Sequence, residues 1–418
     1  MDGKYRYFVG IDWATEAHQV CVLDSDRSVI KELVVEHSGT ALAALVEVLA
    51  GLAPPQEIAV GIEVPRGAVV ETLMERGFVL HHINPKQMDR FRDRHGVAGA
   101  KDDRRDAFVL ADSLRTDQHC FRRVASDDPH VIELRELVRV DDDLQAEVNV
   151  LSNRIREQLL RYFPAYLKLS SMDEEWAWAL WELCSTPTAA QRLSRARVAA
   201  LLKQHRIRRV NADAVLAALK QPPLHVAQGT VEAAYLHIRL ALPRLRLAVT
   251  QQRQVRSCMK KLLERMGSEA APEGQEVEHR DAQILLSMPG VGTKVAATVL
   301  VEASTALAER DYHALRAHAG VAPVTIASGK RSKGRARVQM RHACNKRLRN
   351  VVYHWARVST VCDDRARTVY AALRARGHTH GRALRSIADH HLRVLVAMLR
   401  THTLYQPPTT TEPSHAAA

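Results

Sequence analysis

The stretch VGIDWATEAHQVCVLD, residues 9–24, contains two apolar, β-rich runs separated by a short polar segment. The first run ends on Asp12, and the second begins at Gln19. A carboxylate at the end of a core strand is costly unless it binds something. Two explanations compete: Asp12 binds a metal ion at a strand end, or the hairpin wraps a phosphate group.

The residues up to about 124 extend this hairpin into an α/β pattern. Further β-rich runs and helical patterns follow at 29–36, 41–52, 57–62, 68–76, 78–83, 86–92 and 103–115. This is the order of an RNase H-like sheet, and the actin-like ATPase fold begins in the same way. Strand order alone leaves both open. The ATPase fold also needs a second glycine-rich phosphate loop and an adenosine-binding segment, and the sequence offers neither.

The remainder of the chain is predicted to be helical. Apolar residues from Leu134 to Leu159 recur at spacings of three, four and seven. They form an apolar stripe along one long helix. Packing within one chain and coiled-coil pairing between two chains would explain this stripe equally well. The predicted regions are an α/β catalytic domain at 1–125, a helical or coiled-coil region at 126–266, a linker at 267–280, a C-terminal helical domain at 281–404 and a disordered tail at 405–418.

The composition indicates a polyanion as partner. The formal charge of +13 and the isoelectric point near 9.7 favour nucleic acid. Six scattered cysteines without a Cys-x-x-Cys pair argue against a disulfide framework or a zinc ribbon. The sequence shows neither a signal-peptide pattern nor a run of about 18 apolar residues, so we expect a cytoplasmic protein with no membrane partner.

Carboxylates recur at the ends of predicted elements. The run EIAVGIE ends on Glu63, and KDDRRDA opens a helix on which Asp103 and Asp106 share one face. In an RNase H-like sheet the first and fourth strands are neighbours, so Asp12, Glu63 and the helical acids would meet. Each acid alone also suits a turn or a helix cap. Together they predict a site for hard divalent cations, which serve phosphoryl transfer.

A turn between two helical patterns gives a second candidate site. The segment LLSMPGVGTKVAATVLVEA, residues 285–303, carries Pro289, Gly290 and Gly292 in the turn. It indicates a helix-hairpin-helix, whose second helix offers free N–H groups to a DNA phosphate. A plain helix–helix turn would also use glycine. The full spacing followed by Lys294 favours phosphate binding.

The third candidate is a strongly cationic segment. Residues 330–349 contain nine Lys and Arg and no acid, as expected of a surface that follows a nucleic-acid backbone. Its first cations are Lys330, Arg331, Lys333, Arg335 and Arg337. Ser328 lies just before them. A serine hydroxyl is a weak nucleophile until a base, a metal or nearby cations favour its alkoxide, and taken alone Ser328 is more often an ordinary loop serine.

These features together resemble the DEDD transposases of bacterial and archaeal insertion sequences, the group typified by insertion sequence one-ten. The resemblance covers about residues 5–400 and rests on five motifs in this order: GIDWA, GIEVPRG, KDDRRDA, MPGVG and GVAPVTIASGKR. The family pattern Lys-x-Asp-x-x-Asp-Ala selects Asp103 over Asp102.

The resemblance implies a RuvC-like N-terminal domain and a C-terminal domain in which Ser328 becomes transiently linked to a DNA phosphate. The residues implied to bind Mg²⁺, or Mn²⁺, are Asp12, Glu63, Asp103 and Asp106. The implied partners are donor and target DNA, a structured bridge RNA and further copies of the chain. This homo-oligomer, a dimer or a tetramer on DNA, would build composite sites from different subunits in a prokaryotic, nucleoid-associated protein.

The sequence thus predicts an RNA-guided serine recombinase that moves its own mobile element. The alternative is a metal-dependent, structure-specific endonuclease similar to Holliday-junction resolvases, in which water replaces Ser328 as the nucleophile. A third, non-enzymatic interpretation is a nucleic-acid scaffold whose acids merely cap helices.

Overall fold

The computed structural model describes residues 5–95, 102–124, 128–268, 276–326 and 337–407. The chain divides into two compact units, Met1–Ser126 and Asp127–Ala418. The first combines a mixed sheet with helices, and the second is built mainly of helices. The predicted combination of an α/β region and an all-α region is therefore confirmed.

The first unit contains one sheet of order β3-β2-β1-β4-β5-β6. Its elements are β1 (Tyr7–Asp12), β2 (Ala17–Asp24), β3 (Val29–Glu36), α1 (Gly39–Ala50), β4 (Ile58–Ile62), α2 (Ala68–Glu75), β5 (Val79–His82), α3 (Pro85–His95), α4 (Asp103–Asp117) and β6 (Arg122–Arg123). Strand β4 runs parallel to β1 and β5, and the remaining neighbours are antiparallel.

Alternation along β1 divides its side chains between the two faces of the sheet. Val9 and Ile11 pack into a core shared with α1 and α2. On the opposite face, α4 crosses β1 so closely that a Cβ on Gly10 would lie 2.0 Å from the Ala107 carbonyl oxygen. Only glycine permits this approach. It brings the first turn of α4 towards the end of β1, where Asp12 lies.

The second unit begins with a long helix and ends with another. Its elements are α5 (Pro129–Tyr162), α6 (Glu175–Leu183), α7 (Pro187–Gln191), α8 (Arg195–Gln204), α9 (Ala212–Leu219), α10 (Thr230–Ser268), α11 (Glu276–Ser287), α12 (Thr293–Glu302), α13 (Ser304–Ala308), α14 (Tyr312–His318), β7 (Val324–Ile326), β8 (Arg337–Gln339), α15 (Lys346–Cys362), α16 (Asp364–Ala375) and α17 (His380–Thr401).

Helix α5 carries the predicted apolar stripe and packs along α10 of the same chain. It starts with Asp128 as its N-cap and Pro129 in its first turn. One end of the pair forms a core with α6–α9, in which Trp176, Trp178 and Trp181 are buried. The other end forms a core with α11–α17. Pairing within the chain therefore buries the stripe.

No helix in the described ranges has both the length and the apolar composition to cross a membrane.

Candidate functional site

Asp12 and Glu63 lie side by side at one edge of the sheet. Asp12 is the last residue of β1, and Glu63 directly follows β4. The two strands are parallel and pair Ile11 with Ile62, so the next residue of each chain segment is a carboxylate. Both acids are half-buried. Asp12 shares its face of the sheet with Gly10 and therefore lies on the side that α4 covers.

The first turn of α4 separates the roles of three consecutive acids. Asp102 is the N-cap, and its side chain accepts a hydrogen bond from the Arg104 backbone N–H at 3.2 Å. Asp103 is exposed, whereas Asp106 is only 2% exposed and lies next to Ala107 on the helix face that packs on β1. Helix capping thus accounts for Asp102.

Arg92 of α3 binds Asp106 through two parallel hydrogen bonds. Its Nε donates to Oδ1 at 2.6 Å, and its Nη2 donates to Oδ2 at 2.8 Å. The hydrogen bond with Asp106 is the main reason that the pKa of this guanidinium is raised, and the charges of Asp106, Asp89 and Glu63 add to it. A buried carboxylate is stable only when paired, and Arg92 is a partner that does this for Asp106.

Arg92 cannot be recognised from the sequence. It lies in QMDRFRDRH among other arginines, and nothing in the spacing distinguishes it from Arg90 or Arg94. Its partner stands 14 residues away on another helix, so only the packing of α3 against α4 shows the pair.

The donor chemistry of this edge suits a hard divalent cation, because all its acidic groups offer carboxylate oxygens. Asp12, Glu63 and Asp106 are brought to the same end of the sheet, with Asp103 one helical turn before Ala107. Among the described residues no three His, Cys, Asp or Glu side chains are placed together to hold a metal ion. In the structure Asp106 forms an ion pair with the guanidinium of Arg92.

The turn between α11 and α12 has the predicted Pro-Gly-Val-Gly sequence, and it packs against α15. The indole N–H of Trp355 donates to the Pro289 carbonyl oxygen at 2.9 Å. Gly290 has φ +79°, and a Cβ there would lie 3.1 Å from the Ser359 backbone nitrogen. A left-handed backbone in contact with another helix requires glycine. Packing within the unit therefore accounts for Gly290.

Gly292 and Lys294 begin α12. Gly292 is its N-cap without a capping side chain, and a Cβ at this position would meet open space. The Lys294 ammonium lies 2.5 Å from Asp142 Oδ1 and 2.7 Å from Asp141 Oδ2, both on α5. This lysine, which the sequence assigned to a DNA phosphate, is bound to carboxylates of its own chain. Asp142 stands 152 residues away, so spacing could not have revealed the pair.

The same two aspartates bind arginines from two further helices. Arg256 of α10 donates to Asp141 Oδ1 at 2.7 Å, and Arg347 of α15 donates to Asp142 Oδ2 at 3.0 Å. Asp141 is only 1% exposed. We call Asp141, Asp142, Arg256, Lys294 and Arg347 the α5 charge network. It connects α5, α10, α12 and α15.

Ser328, Lys330, Arg331, Lys333 and Arg335 lie outside the described residues, and of Arg337 only the backbone is described, as the first residue of β8. β7 and β8 pair antiparallel, with Ile326 opposite Arg337. The two ends of the segment that contains Ser328 are therefore neighbours.

A cavity of about 640 Å³ lies beside the α11–α12 turn. Pro289 and His391 are among its lining residues, together with side chains of α16, α17 and the segment 403–406. His391 is stacked on Trp355 and hydrogen-bonded to Ser359 Oγ at 2.8 Å. Burial lowers its pKa to about 4, so this imidazole is neutral at physiological pH. No sequence motif pointed to this cavity.

Comparison with known families assigns the class. A family model for DEDD transposases of the IS110 group, described as "Transposase", matches residues 9–164, which include all four acids predicted to bind metal. A second model, "Transposase IS116/IS110/IS902 family", matches residues 282–371, which include the α11–α12 turn and Ser328. The chain is therefore a transposase, an enzyme that acts on DNA by phosphoryl transfer.

Full-length relatives assign the family. The "Mini-circle putative transposase for IS117" of Streptomyces coelicolor is 31% identical over 94% of both chains. The insertion element IS900 protein of Mycobacterium paratuberculosis is 30% identical over 97% of this chain and 98% of its own. The "Putative transposase y4uE" of Sinorhizobium fredii is 54% identical, over 51% of this chain and 60% of its own length. The chain belongs to the IS110 family of insertion-sequence transposases, as the sequence motifs indicated.

Proposed function

We propose that this transposase cuts and rejoins DNA with divalent metal held by Asp12, Glu63, Asp103 and Asp106, and with the Ser328 hydroxyl as nucleophile. The observation that supports the metal site is the position of Asp12 and Glu63 at the neighbouring ends of β1 and β4, with α4 packed closely on β1. The sheet order, with β1 central and β1–β3 antiparallel, supports an RNase H-like, RuvC-like domain. Mg²⁺ or Mn²⁺ bound there would offset negative charge on the scissile phosphate.

The serine step conserves the phosphodiester. The Ser328 oxygen attacks phosphorus and loses its proton, and the bond from phosphorus to the leaving deoxyribose oxygen breaks, with that oxygen taking up a proton. A hydroxyl of the new partner strand then attacks the same phosphorus and loses its proton, while the bond from phosphorus to the Ser328 oxygen breaks and that oxygen takes up a proton. Bonds made equal bonds broken, so no high-energy cofactor is needed. Cations from Lys330 to Arg337 would stabilise the charge on the attacked phosphate.

The partners follow from charge and from the family. The surplus of positive charge suits donor and target DNA and a structured bridge RNA that guides the enzyme. The α11–α12 turn supports a helix-hairpin-helix in which Gly292, at the start of α12, lets a phosphate approach the backbone. A homo-oligomer on DNA would supply the sites for several strands.

The experiment that tests this function is a search for a protein–DNA ester. Wild-type protein is incubated with guide RNA, Mg²⁺ and a nicked suicide DNA substrate, and the products are separated on a denaturing gel. We expect a protease-sensitive shifted band that Ser328→Ala loses completely while nucleic-acid binding persists. Ser332→Ala, in the same cationic segment, is the matched control and should keep the band. Wild-type cleavage by Ser328→Ala with no ester in either protein would instead support the hydrolytic endonuclease.

A further inference from the structure

We propose that Arg92 is an internal counter-cation of the acidic edge: its guanidinium occupies Asp106 until a divalent cation takes its place. Arg92 would then set the affinity of the edge for metal as a positioning residue that acts through Asp106. The inference rests on the proposed metal site and adds to it a residue that the DEDD pattern does not contain.

The geometry shows that Arg92 and a metal ion compete for the same atoms. Both oxygens of Asp106 already accept a hydrogen bond from Arg92, at 2.6 and 2.8 Å. A carboxylate that accepts a bidentate arginine offers its best lone pairs to that partner. Each oxygen keeps one further lone pair, but the guanidinium charge repels a second cation, so a metal ion should bind Asp106 more weakly while Arg92 is in place.

The exposure of the two side chains shows which of them can move. The Asp106 side chain is 4% exposed and is fixed on the helix face beside Ala107, against the sheet. The Arg92 side chain is 31% exposed and reaches Asp106 from α3. Release of Arg92 requires only rotation of a long side chain at the surface. The buried Asp106 side chain has less room to move.

Arg92 also has a second carboxylate to bind when it leaves. Its Nη1 donates to Asp89 Oδ1, one turn earlier on α3, at 2.8 Å, and the Asp89 side chain is 69% exposed. The displaced guanidinium thus keeps an ionic partner outside the acidic edge. This lowers the cost of the exchange, since the cation is not left buried without a counter-charge.

Neighbouring carboxylates explain why such a residue is useful. Asp12 and Glu63 lie at the same edge, and the negative charge of Glu63 acts on Arg92. Clustered carboxylates repel each other and destabilise the fold before metal binds. A cation from the chain itself holds Asp106 in place during that time and yields to a doubly charged ion.

The test is Mn²⁺ binding to the full chain without nucleic acid, measured by electron paramagnetic resonance of free Mn²⁺. Arg92→Met removes the competing charge and keeps an unbranched, flexible side chain. Arg94→Met is the matched control, because Arg94 lies on the same helix and pairs with Asp117 instead. If the exchange-competent state is about one tenth of the population, Arg92→Met should bind Mn²⁺ about tenfold more tightly than the wild type. Arg94→Met should match the wild type.

A second variant covers the case in which Arg92→Met does not fold. Arg92→Lys retains the charge and loses the bidentate geometry, so its Mn²⁺ affinity should lie between wild type and Arg92→Met. Mn²⁺ should also raise the melting temperature of either Arg92 variant more than that of the wild type, since ligand affinity is linked to stability.

The possible failures are distinguishable. Mn²⁺ affinity that is equal to or weaker than wild type in the Arg92 variants, with binding still abolished by Asp12→Asn, overturns the role of Arg92 and leaves the metal site standing. Wild-type protein whose Mn²⁺ binding is unaffected by Asp12→Asn overturns both proposals.

Discussion

The acidic edge of the sheet and the α5 charge network each contain one residue that the sequence assigned a functional role, Asp106 and Lys294. The structure shows both residues in ion pairs within the chain, but the two regions arrange their charges differently. At the edge, carboxylates of like charge gather around the Arg92–Asp106 pair. In the α5 charge network each aspartate is shared by two cations from different helices. Grouped like charges favour an incoming counter-ion, whereas alternating charges satisfy one another. Burial alone does not distinguish the two, since Asp106 and Asp141 are 2% and 1% exposed.

The largest expected effect concerns catalysis at the edge. Glu63→Gln keeps the shape of the side chain and removes one charge of the proposed metal site, so DNA cleavage should fall by at least about 10²–10³-fold with an unchanged melting temperature. Glu302→Gln, which removes a carboxylate beside Arg347 in the second unit, should leave cleavage largely intact. Normal Mg²⁺-dependent cleavage by Glu63→Gln would show that Glu63 is not part of a metal site, so that the acidic edge would not differ from the α5 charge network in function.

The next effect concerns stability in the α5 charge network. Asp141→Ala removes a buried carboxylate that pairs with Arg256 and Lys294. Both cations stay partly exposed to water and Lys294 keeps Asp142, so the cost should be that of hydrogen bonds to a charged group, about 1.5–3 kcal/mol. We expect a corresponding loss in the free energy of unfolding by urea. Asp142→Ala should cost less, because Asp142 is 33% exposed and its pairs are screened by water. Equal and small losses in both variants would show that the network does not hold these helices together.

The smallest effect concerns the salt dependence of nucleic-acid binding. Each phosphate contact adds about 0.9 to the slope of log affinity against log salt for duplex DNA. Arg331→Ala and Lys333→Ala should each lower this slope by about 0.9, the contribution of one phosphate contact. Lys294→Met should leave the slope unchanged, because its ammonium is bound to Asp141 and Asp142. A slope that falls in Lys294→Met as in the other two would show that Lys294 exchanges its aspartates for phosphate.

The short strands β6, β7 and β8 were not predicted from the sequence, whereas β1 to β5, the start of α4 and the carboxylates at the ends of β1 and β4 were. These are local properties: apolar runs with a period of two, a helix that begins after an aspartate, and carboxylates at strand ends. An RNase H-like sheet makes the first and fourth strands neighbours, and the structure pairs β1 with β4 in parallel, which brings Asp12 and Glu63 together. The family motifs added Ser328, which stays a prediction because it lies outside the described residues.

Which charges meet depends on how the helices pack. Arg92 looks like its neighbours in α3 until α4 places Asp106 beside it, and Lys294 looks like a phosphate ligand until α5 brings two aspartates to it. The same holds for the apolar stripe of α5. The sequence did not distinguish packing within one chain from coiled-coil pairing between two chains, and in the structure α10 of the same chain packs along α5. The partners in these ion pairs are far apart in sequence: 14 residues separate Arg92 from Asp106, and 152 separate Lys294 from Asp142. They meet only when the chain folds. The packing of the whole core brings such residues together, and no local pattern of residues encodes these contacts.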